Sequence, residues 1–287
     1  MDGILLIDKP KGITSRDVVN RVIKKLNIKK VGHTGTLDPL ATGVMVVCIG
    51  KATKLVDLLT SEDKEYIAEV TLGLETDTMD ITGEVLNKKN IDIKKTDIIK
   101  SLKTFLGKYN QEVPIYSAVK INGKKLYEYA RNNETILLPK REVEIKNIEL
   151  LNLWNENDTV KFNFSCLVSK GTYIRSLIKD ICNNLNVIGT MSNLRRIKQG
   201  NFNISQCRSI DKVSIDDIKN IKDIINIPVI SVDNYLKNKI LNGQILENRY
   251  NVDTMLFVDE DNKELAIYKT YLKDRTKIKP YKTLFHK

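Results

Sequence analysis

The sequence has few of the residues on which metal sites and disulfide frameworks depend. Its 287 residues include two histidines and four cysteines. The cysteines stand far apart beside apolar residues and form no Cys-x-x-Cys pair: Cys48, Cys166, Cys182 and Cys207. This spacing is typical of reduced, mostly buried thiols and offers no zinc ligand set. Of the histidines, His33 stands in a motif-like context and His286 does not, so the sequence predicts no metal site.

Long apolar runs are also absent. No run reaches the roughly 18 to 20 apolar residues that a membrane-spanning helix needs. The first residues, MDGILLIDKPKG, contain acids and a proline where a signal peptide has an apolar core. No GxGxxG or Walker sequence is present to hold a nucleotide cofactor. We therefore expect a cytoplasmic protein that has no membrane partner and uses no cofactor.

Positive charge is plentiful, with 47 Lys and Arg against 36 Asp and Glu and a net charge of +11. A basic balance favours a polyanionic partner, but Lys-rich chains also arise by compositional drift, so the total alone leaves nucleic-acid binding open. The distribution is more informative. Residues 183–210 contain no acid but include Arg195 and Arg196, which we interpret as phosphate contacts. Between residues 18 and 56 the only acid is Asp38.

The hydrophobic pattern predicts a mixed α+β body. Strands are expected at ILLID, VMVVCI and KEYIAEVTLG, the last with Tyr66 on its apolar face. Thr14 and Asp17 are suited to cap a first helix, and Thr96 to cap another that Gly107 ends. Strands interspersed with separate helices, without regular βαβ alternation, favour an α+β fold over a nucleotide-binding sheet.

The pattern weakens before Ile227-Pro228, and short strand-like runs follow, including MLFVD and ELAIYKTY. We therefore expect a body over residues 1–227 and a small β-rich domain over residues 228–287. Residues 117–141 have mixed charge and an Asn-Gly turn, and they read as an excursion between strands, for which a solvated surface loop is the plainer interpretation.

Asp38 stands in the stretch Gly-Thr-Leu-Asp-Pro-Leu-Ala-Thr-Gly. An aspartate before proline has a restricted, extended backbone, and an isolated Asp-Pro most often makes only a local turn. Here the loop is glycine-rich, ends on a buried strand and lies in a basic stretch, so the carboxylate should stay ionised. An ionised, oriented carboxylate can serve as a nucleophile.

The stretch GHTGTLDPLATGV resembles the catalytic signature of the TruB family of tRNA pseudouridine synthases. Further blocks are similar to the family in the same order, over residues 3 to about 202: GILLIDKPKGITSRDVV, GKATKLV, DKEYIAEVTLG, TDTMDITG, FLGKYNQEVPIYSAVKINGKKLYEYAR and SKGTYIRSL. The resemblance implies a pseudouridine synthase fold with a largely antiparallel sheet, and a C-terminal RNA-binding domain of the PUA type. It implies isomerisation of the T-loop uridine at tRNA position 55 to pseudouridine.

The resemblance also assigns roles to residues. It makes Asp38 the catalytic nucleophile, adding to carbon 6 of the ring or to the anomeric carbon, and Arg175 its ion-pair partner. The alternative for Arg175 is a phosphate contact at a helix N-terminus. Tyr66 matches the tyrosine that stacks on the flipped base. Positions matching substrate contacts of the family are His33, Tyr173, Leu194, Lys9, Pro10 and Asp80.

For Asp80 a turn role is an alternative to RNA contact, and residues 117–141 match the mobile segment that grips the RNA stem-loop. We expect the T-arm of tRNA as the partner, with no obligate protein partner, and a monomer. Two departures from the family pattern concern loop rigidity: Val113-Pro114-Ile115 replaces a double proline, and Val168 replaces a frequent cysteine before Ser-Lys-Gly.

Three rival interpretations remain at the level of sequence. A guide-RNA-dependent relative should carry longer basic tails than this chain has. A non-catalytic RNA-binding or RNA-folding protein would not need the set Asp38, Tyr66 and Arg175. A hydrolase using Asp38 with His33 lacks a second acid nearby.

Overall fold

The computed structural model describes residues 1–156 and 159–285, so His286 lies outside the described residues. The strands of this part of the chain are β1 (Gly3–Lys9), β2 (Val31–His33), β3 (Thr42–Ile49), β4 (Lys64–Leu72), β5 (Leu74–Thr76), β6 (Val85–Lys88), β7 (Gly107–Glu112), β8 (Lys120–Ile121), β9 (Lys124–Lys125), β10 (Lys140–Glu156), β11 (Thr159–Val168), β12 (Gly189–Gln199), β13 (Phe202–Asn203), β14 (Arg208–Ser209), β15 (Val229–Ser231), β16 (Leu246–Glu247), β17 (Thr254–Val258), β18 (Glu264–Thr270) and β19 (Lys277–Thr283). The α-helices are α1 (Ser15–Leu26), α2 (Val56–Thr60), α3 (Lys95–Thr104), α4 (Leu126–Arg131), α5 (Ile174–Asn184) and α6 (Asn234–Leu241). Short 3₁₀ turns lie at Gly50–Leu55, Ile204–Gln206, Ile215–Asp217 and Ile221–Asp223.

The larger sheet has the strand order β14-β1-β3-β12-β4-β11-β10-β7, with β2 added to β3 and β13 to β12. Its pairs are antiparallel except for β1 with β14 and β3 with β12. The predicted α+β class with a largely antiparallel sheet is confirmed.

Strand β3 is an inner strand of this sheet, between β1 and β12, and is covered on both faces, as its apolar run predicts. One face of β1 and β3 packs on α1, through residues such as Val18 and Val22. The other face packs on Leu256, Val258 and Ile267 of the C-terminal part. The loop that ends on β3 is therefore anchored in a rigid core.

A second, five-stranded sheet is formed after residue 228, in the order β15-β17-β18-β19-β16. It has its own core, in which Phe257 and Tyr268 pack edge to face with centroids 5.2 Å apart. The predicted β-rich C-terminal part is confirmed. The boundary between residues 227 and 228, and the PUA type, stay predictions.

The helix starts agree with the sequence in part. Thr14 and Asp17 form the predicted reciprocal capping box of α1. The prediction that Thr96 caps α3 is wrong, because that helix begins at Lys95 and its N-cap is Lys94, without a side-chain bond. Helix α5 begins at Ile174, and its N-cap Tyr173 likewise makes no side-chain cap bond.

Residues 117–141 make up most of the connection from the edge strand β7 to β10, and Lys140 and Arg141 already belong to β10. They contain the two-residue turn Asn122-Gly123, with φ of 50° and 81°, which joins β8 to β9. Positive φ at both central residues is the requirement of the type I′ hairpin that an Asn-Gly pair predicts. Helix α4 follows at once.

The sequence also predicts reduced cysteines and no membrane-spanning helix. All four cysteines are free, with Cys48, Cys166 and Cys182 buried and Cys207 half-buried. In the part of the chain that the structure describes, no helix is both long enough and apolar enough to cross a membrane.

Candidate active site

The loop that carries Asp38 runs from β2 to β3 and is fastened at several points. The Ser15 hydroxyl donates to the Leu37 carbonyl at 3.0 Å and accepts from the Leu37 N–H at 2.8 Å. The buried ammonium of Lys9 donates to the carbonyls of Ala41 at 2.7 Å and Pro10 at 2.9 Å. These bonds fix the backbone on both sides of Asp38, so its side chain leaves the loop in a set direction.

Gly43 brings this loop against β12. Its φ is +105°, and a Cβ there would lie 2.2 Å from the carbonyl oxygen of Arg196. A side chain at this position would therefore push β3 away from β12 or distort the loop. The glycine at the end of the Asp38 stretch is therefore required for steric reasons.

Arg175 and Asp38 form the predicted ion pair, with Arg175 Nε 3.0 Å from Asp38 Oδ2. The rest of the guanidinium donates to the carbonyls of Thr78 at 3.1 Å and Tyr116 at 2.9 Å. Arg175 is 6% exposed and lies in the first turn of α5. The guanidinium therefore binds three acceptors from three segments instead of gripping Asp38 with both prongs of its fork.

Burial and the nearby cations have opposite effects on the pKa of Asp38. Burial raises the pKa of Asp38, and the charges of Arg175 and Lys9 oppose that rise. Burial also lowers the pKa of Lys9 to about 8, against the attraction of Asp38. Asp38 keeps a third of its side chain exposed, so one oxygen is held by Arg175 and the carboxylate still faces open space.

A cleft of about 510 Å³ opens above this pair. It is lined by Asp38, Arg175, Tyr66, Tyr173 and Leu194, which come from four different segments of the chain. A concave site of this size with apolar walls and a few convergent polar groups is typical of ligand pockets. The structure thus brings together five of the residues that the sequence picks out.

The other four predicted contacts stand outside the cleft lining that the described residues form. Lys9 is buried beneath the loop, Pro10 is exposed beside it, and His33 is half-buried at the end of β2. Asp80 is 6% exposed and accepts hydrogen bonds from the Thr82 N–H and the Thr82 and Thr78 hydroxyls. The geometry gives Asp80 the turn role named as its alternative, and its RNA contact stays a prediction.

Two basic residues of the cleft have functions that the sequence did not indicate. Arg196 is 1% exposed, and its guanidinium donates to the carbonyls of Val44 at 2.7 Å and Gly35 at 3.2 Å. Its interpretation as a phosphate contact is wrong, because those bonds tie it to β3 and to the Asp38 loop. Lys64 is 8% exposed and donates to backbone carbonyls, and burial lowers its pKa to about 8.

Arg196 also lies next to Tyr66. The two residues are register partners on the antiparallel strands β12 and β4, so their side chains share one face of the sheet. Burial raises the pKa of Tyr66, while the positive charge of the Arg196 guanidinium acts to lower it. Only a weak signal in the sequence could have indicated the burial of Arg196. Successive residues of a strand face opposite sides of the sheet, so two consecutive arginines cannot both lie on its exposed side.

Comparison with known proteins places this geometry in a family. Residues 23–174 match the model of the TruB family pseudouridylate synthase (N terminal domain). The chain is 46% identical over 250 residues to the tRNA pseudouridine synthase B of Clostridium kluyveri, which covers 85% of this chain and 84% of the relative. It is 39% identical over 305 residues to the tRNA pseudouridine synthase B of Bacillus subtilis (strain 168), covering 100% and 99%.

The fold is similar to that in a crystal structure of a Cbf5-Nop10-Gar1 complex, with a TM-score of 0.72 and 26% identity over 99% of this chain and 85% of the other. The predicted pseudouridine synthase fold is thereby confirmed. The family match extends over the Asp38 loop, Tyr66 and the start of α5, and the two relatives cover most or all of the chain. The chain belongs to the TruB family of pseudouridylate synthases.

Proposed function

We propose that this enzyme isomerises the T-loop uridine at position 55 of tRNA to pseudouridine, with Asp38 as the nucleophile and without a guide RNA. The names of the relatives, tRNA pseudouridine synthase B, support tRNA as the substrate. The observation that carries the chemistry is the pair of Asp38 with the buried Arg175 at the floor of the cleft.

The reaction conserves every atom of the nucleotide except one exchanged proton. The Asp38 carboxylate adds to carbon 6 of the uracil or to the anomeric carbon, and the bond from N1 to the ribose breaks. The uracil turns, carbon 5 bonds to the anomeric carbon, the carbon 5 proton leaves, N1 gains a proton and the carboxylate is released. Arg175 holds the carboxylate ionised and aimed before the attack and receives it again on release.

The cleft has room for one base taken out of the RNA stack. The Tyr66 ring offers a flat face for the flipped uracil, and Leu194 supplies an apolar wall. Tyr173 contributes a polar contact from the start of α5. We assign His33 to the flipped bases of the T-loop and residues 117–141 to the grip on the stem-loop.

The test is tritium release from tRNA transcript labelled at carbon 5 of uridine, with purified protein as the only macromolecule besides the RNA. A T-arm hairpin should be a substrate, and the same hairpin with cytidine at position 55 should release nothing. Release from other uridines of the transcript, or only after cell RNA or another protein is added, would contradict the proposed specificity or the independence from a guide and a partner. If the protein elutes at the size of a monomer and that fraction is active in this assay, the result supports a monomeric enzyme.

A further inference from the structure

Gln111 makes a side-chain clamp on the start of α5. It lies near the end of β7, the edge strand of the large sheet, and is 1% exposed. Its Oε1 accepts from the N–H of Tyr173 at 2.8 Å, and its Nε2 donates to the carbonyl of Tyr173 at 3.1 Å. The amide therefore pairs with both backbone groups of one residue, as a neighbouring β-strand does.

The orientation of this amide is fixed by a third bond. Nε2 also donates to the Tyr109 hydroxyl at 2.6 Å, and that hydroxyl donates to Asp180 Oδ2 on α5 at 3.4 Å. Since Nε2 has two protons and faces two acceptors, while Oε1 faces an N–H, the amide has one satisfied orientation. A ring of bonds thus joins β7 to α5 at Tyr173 and again at Asp180.

Tyr173 is the N-cap of α5 and makes no side-chain cap bond. The first N–H groups of a helix lack partners within the helix, and Gln111 supplies an acceptor where the cap does not. Two residues later comes Arg175, whose Nε lies 3.0 Å from Asp38. Next to it the Ser176 hydroxyl donates to the Glu112 carbonyl at 2.8 Å, which binds β7 to the same helical turn.

We infer that Gln111 is a positioning residue of the isomerisation, which acts through Arg175 by holding the first turn of α5 against β7. This inference rests on the proposed function, because it requires the pair of Asp38 and Arg175 to matter for the rate. Displacement of a catalytic group by about 1 Å can cost on the order of 100-fold. Gln111 is not among the described residues that line the cleft, and it contacts that lining only through the backbone of Tyr173.

The first test is Gln111→Met, which keeps the length of the side chain and removes all its hydrogen bonds. We expect the single-turnover rate of tritium release to fall about 30-fold to 100-fold, with T-arm affinity within about threefold of wild type because no RNA contact is removed. Tyr109→Phe is the matched control. It removes the two bonds of the Tyr109 hydroxyl, to Gln111 and Asp180, leaves both bonds to Tyr173, and should change the rate less than about threefold.

The second test separates positioning from general destabilisation. In an Arg175→Lys background, Gln111→Met should slow the reaction by less than about twofold, because the residue through which it acts is already lost. An equal loss in both backgrounds would overturn the inference and make Gln111 a purely structural residue. A wild-type rate in folded, RNA-binding Gln111→Met would overturn it too, while tritium release by the wild type keeps the proposed function intact.

Gln111→Glu carries the test if Gln111→Met fails to fold. An ionised glutamate cannot donate to the Tyr173 carbonyl, whereas the protonated acid can. Its rate relative to wild type should therefore rise as the pH falls. A ratio independent of pH would contradict the clamp, and no tritium release by the wild type would reject the proposed function instead.

Discussion

Asp38 and Asp80 stand in similar stretches, Thr-Leu-Asp-Pro-Leu-Ala-Thr-Gly and Thr-Met-Asp-Ile-Thr-Gly, but the fold uses them differently. The carboxylate of Asp80 accepts bonds from Thr78 and Thr82 of its own turn. The carboxylate of Asp38 is held by Arg175, which comes from α5 more than a hundred residues later. The same Arg175 donates to the Thr78 carbonyl.

The difference separates a carboxylate that closes a turn from one that is presented to a cleft. Asp80 directs its acceptor capacity inward and is nearly inaccessible, whereas Asp38 keeps a third of its side chain exposed and its loop is bonded by other groups, Lys9 and Ser15. A side chain that does not hold its own loop is available for chemistry. The two aspartates should therefore differ in whether their loss affects rate or stability more.

Asp38→Asn should have the largest effect on rate. The amide is nearly isosteric and removes only the nucleophile, so isomerisation should fall by about four orders of magnitude or more while tRNA affinity stays within a few-fold. The measurements are single-turnover tritium release and filter binding. Substantial residual turnover in a preparation free of host enzyme would remove Asp38 from the mechanism.

Arg175→Lys should come second. Lysine keeps the positive charge but cannot reach Asp38, Thr78 and Tyr116 together, as the guanidinium does. We expect a loss on the order of a thousandfold in single-turnover rate. If this variant isomerises tRNA within about threefold of wild type, the pairing is irrelevant to the reaction and Arg175 is better interpreted as a phosphate contact.

Asp80→Asn should slow the reaction by roughly 10-fold to 100-fold, because the turn that presents the Thr78 carbonyl to Arg175 loosens. It should also lower the free energy of unfolding by about 1 to 3 kcal/mol, since a neutral amide oxygen accepts the three bonds more weakly than the charged carboxylate oxygen does. Urea unfolding and single-turnover kinetics give both quantities. A rate as low as that of Asp38→Asn would show that the two aspartates act as one unit.

The pH dependence of the rate sharpens the comparison further. In the proposed reaction the reactive form of Asp38 is the carboxylate. Burial raises the pKa of Asp38, so the rate should fall on acidification at a pH above the usual aspartate range. Arg175 lowers the pKa of Asp38 and Asp80 raises it. The acid limb should therefore move to higher pH in Arg175→Met and to lower pH in Asp80→Asn. A limb that stays in place in both variants would assign it to another group.

Local features of this site could be predicted from the sequence and long-range ones could not. The glycines and proline around Asp38 mark a constrained loop, and the apolar run of β3 marks its anchor, because both signals lie within a dozen residues. Arg175 could be identified only from the resemblance of the sequence to the TruB family. Nothing in its local pattern indicates that a residue of α5 reaches a loop 137 positions earlier.

Arg196 shows why the remainder was missed. An arginine in an acid-free stretch is typical of phosphate binding, and its burial depends on carbonyls of Gly35 and Val44 that only the sheet pairing brings close. Gln111 is similar, since its partner Tyr173 lies 62 residues away. The prediction that Thr96 caps α3 was wrong for a different reason. The N-cap is Lys94, which makes no side-chain hydrogen bond that a sequence pattern could indicate.

A third aspartate extends the comparison to its smallest expected effect. Asp8 pairs with Arg195 through two contacts, at 2.8 Å and 3.2 Å, so its geometry is the more complete. Both side chains are more than a third exposed, and an exposed pair of this kind contributes only about 0 to 1 kcal/mol. Arg195→Ala should therefore leave the rate within about twofold and change stability by less than about 1 kcal/mol.

The same variant tests how RNA binding is distributed. Affinity for the T-arm hairpin should fall steeply between about 50 and 200 mM salt, because much of it comes from phosphates. Since Asp8 already neutralises Arg195, Arg195→Ala should reduce the slope of log affinity against log salt by less than about one unit. A larger reduction would show that the arginine leaves Asp8 for a phosphate when RNA binds. In that case the pair of Asp8 and Arg195, which has two contacts, would be weaker than the pair of Asp38 and Arg175, which has one. The solvent exposure of the side chains, and not the number of contacts, would then determine how much each pair contributes.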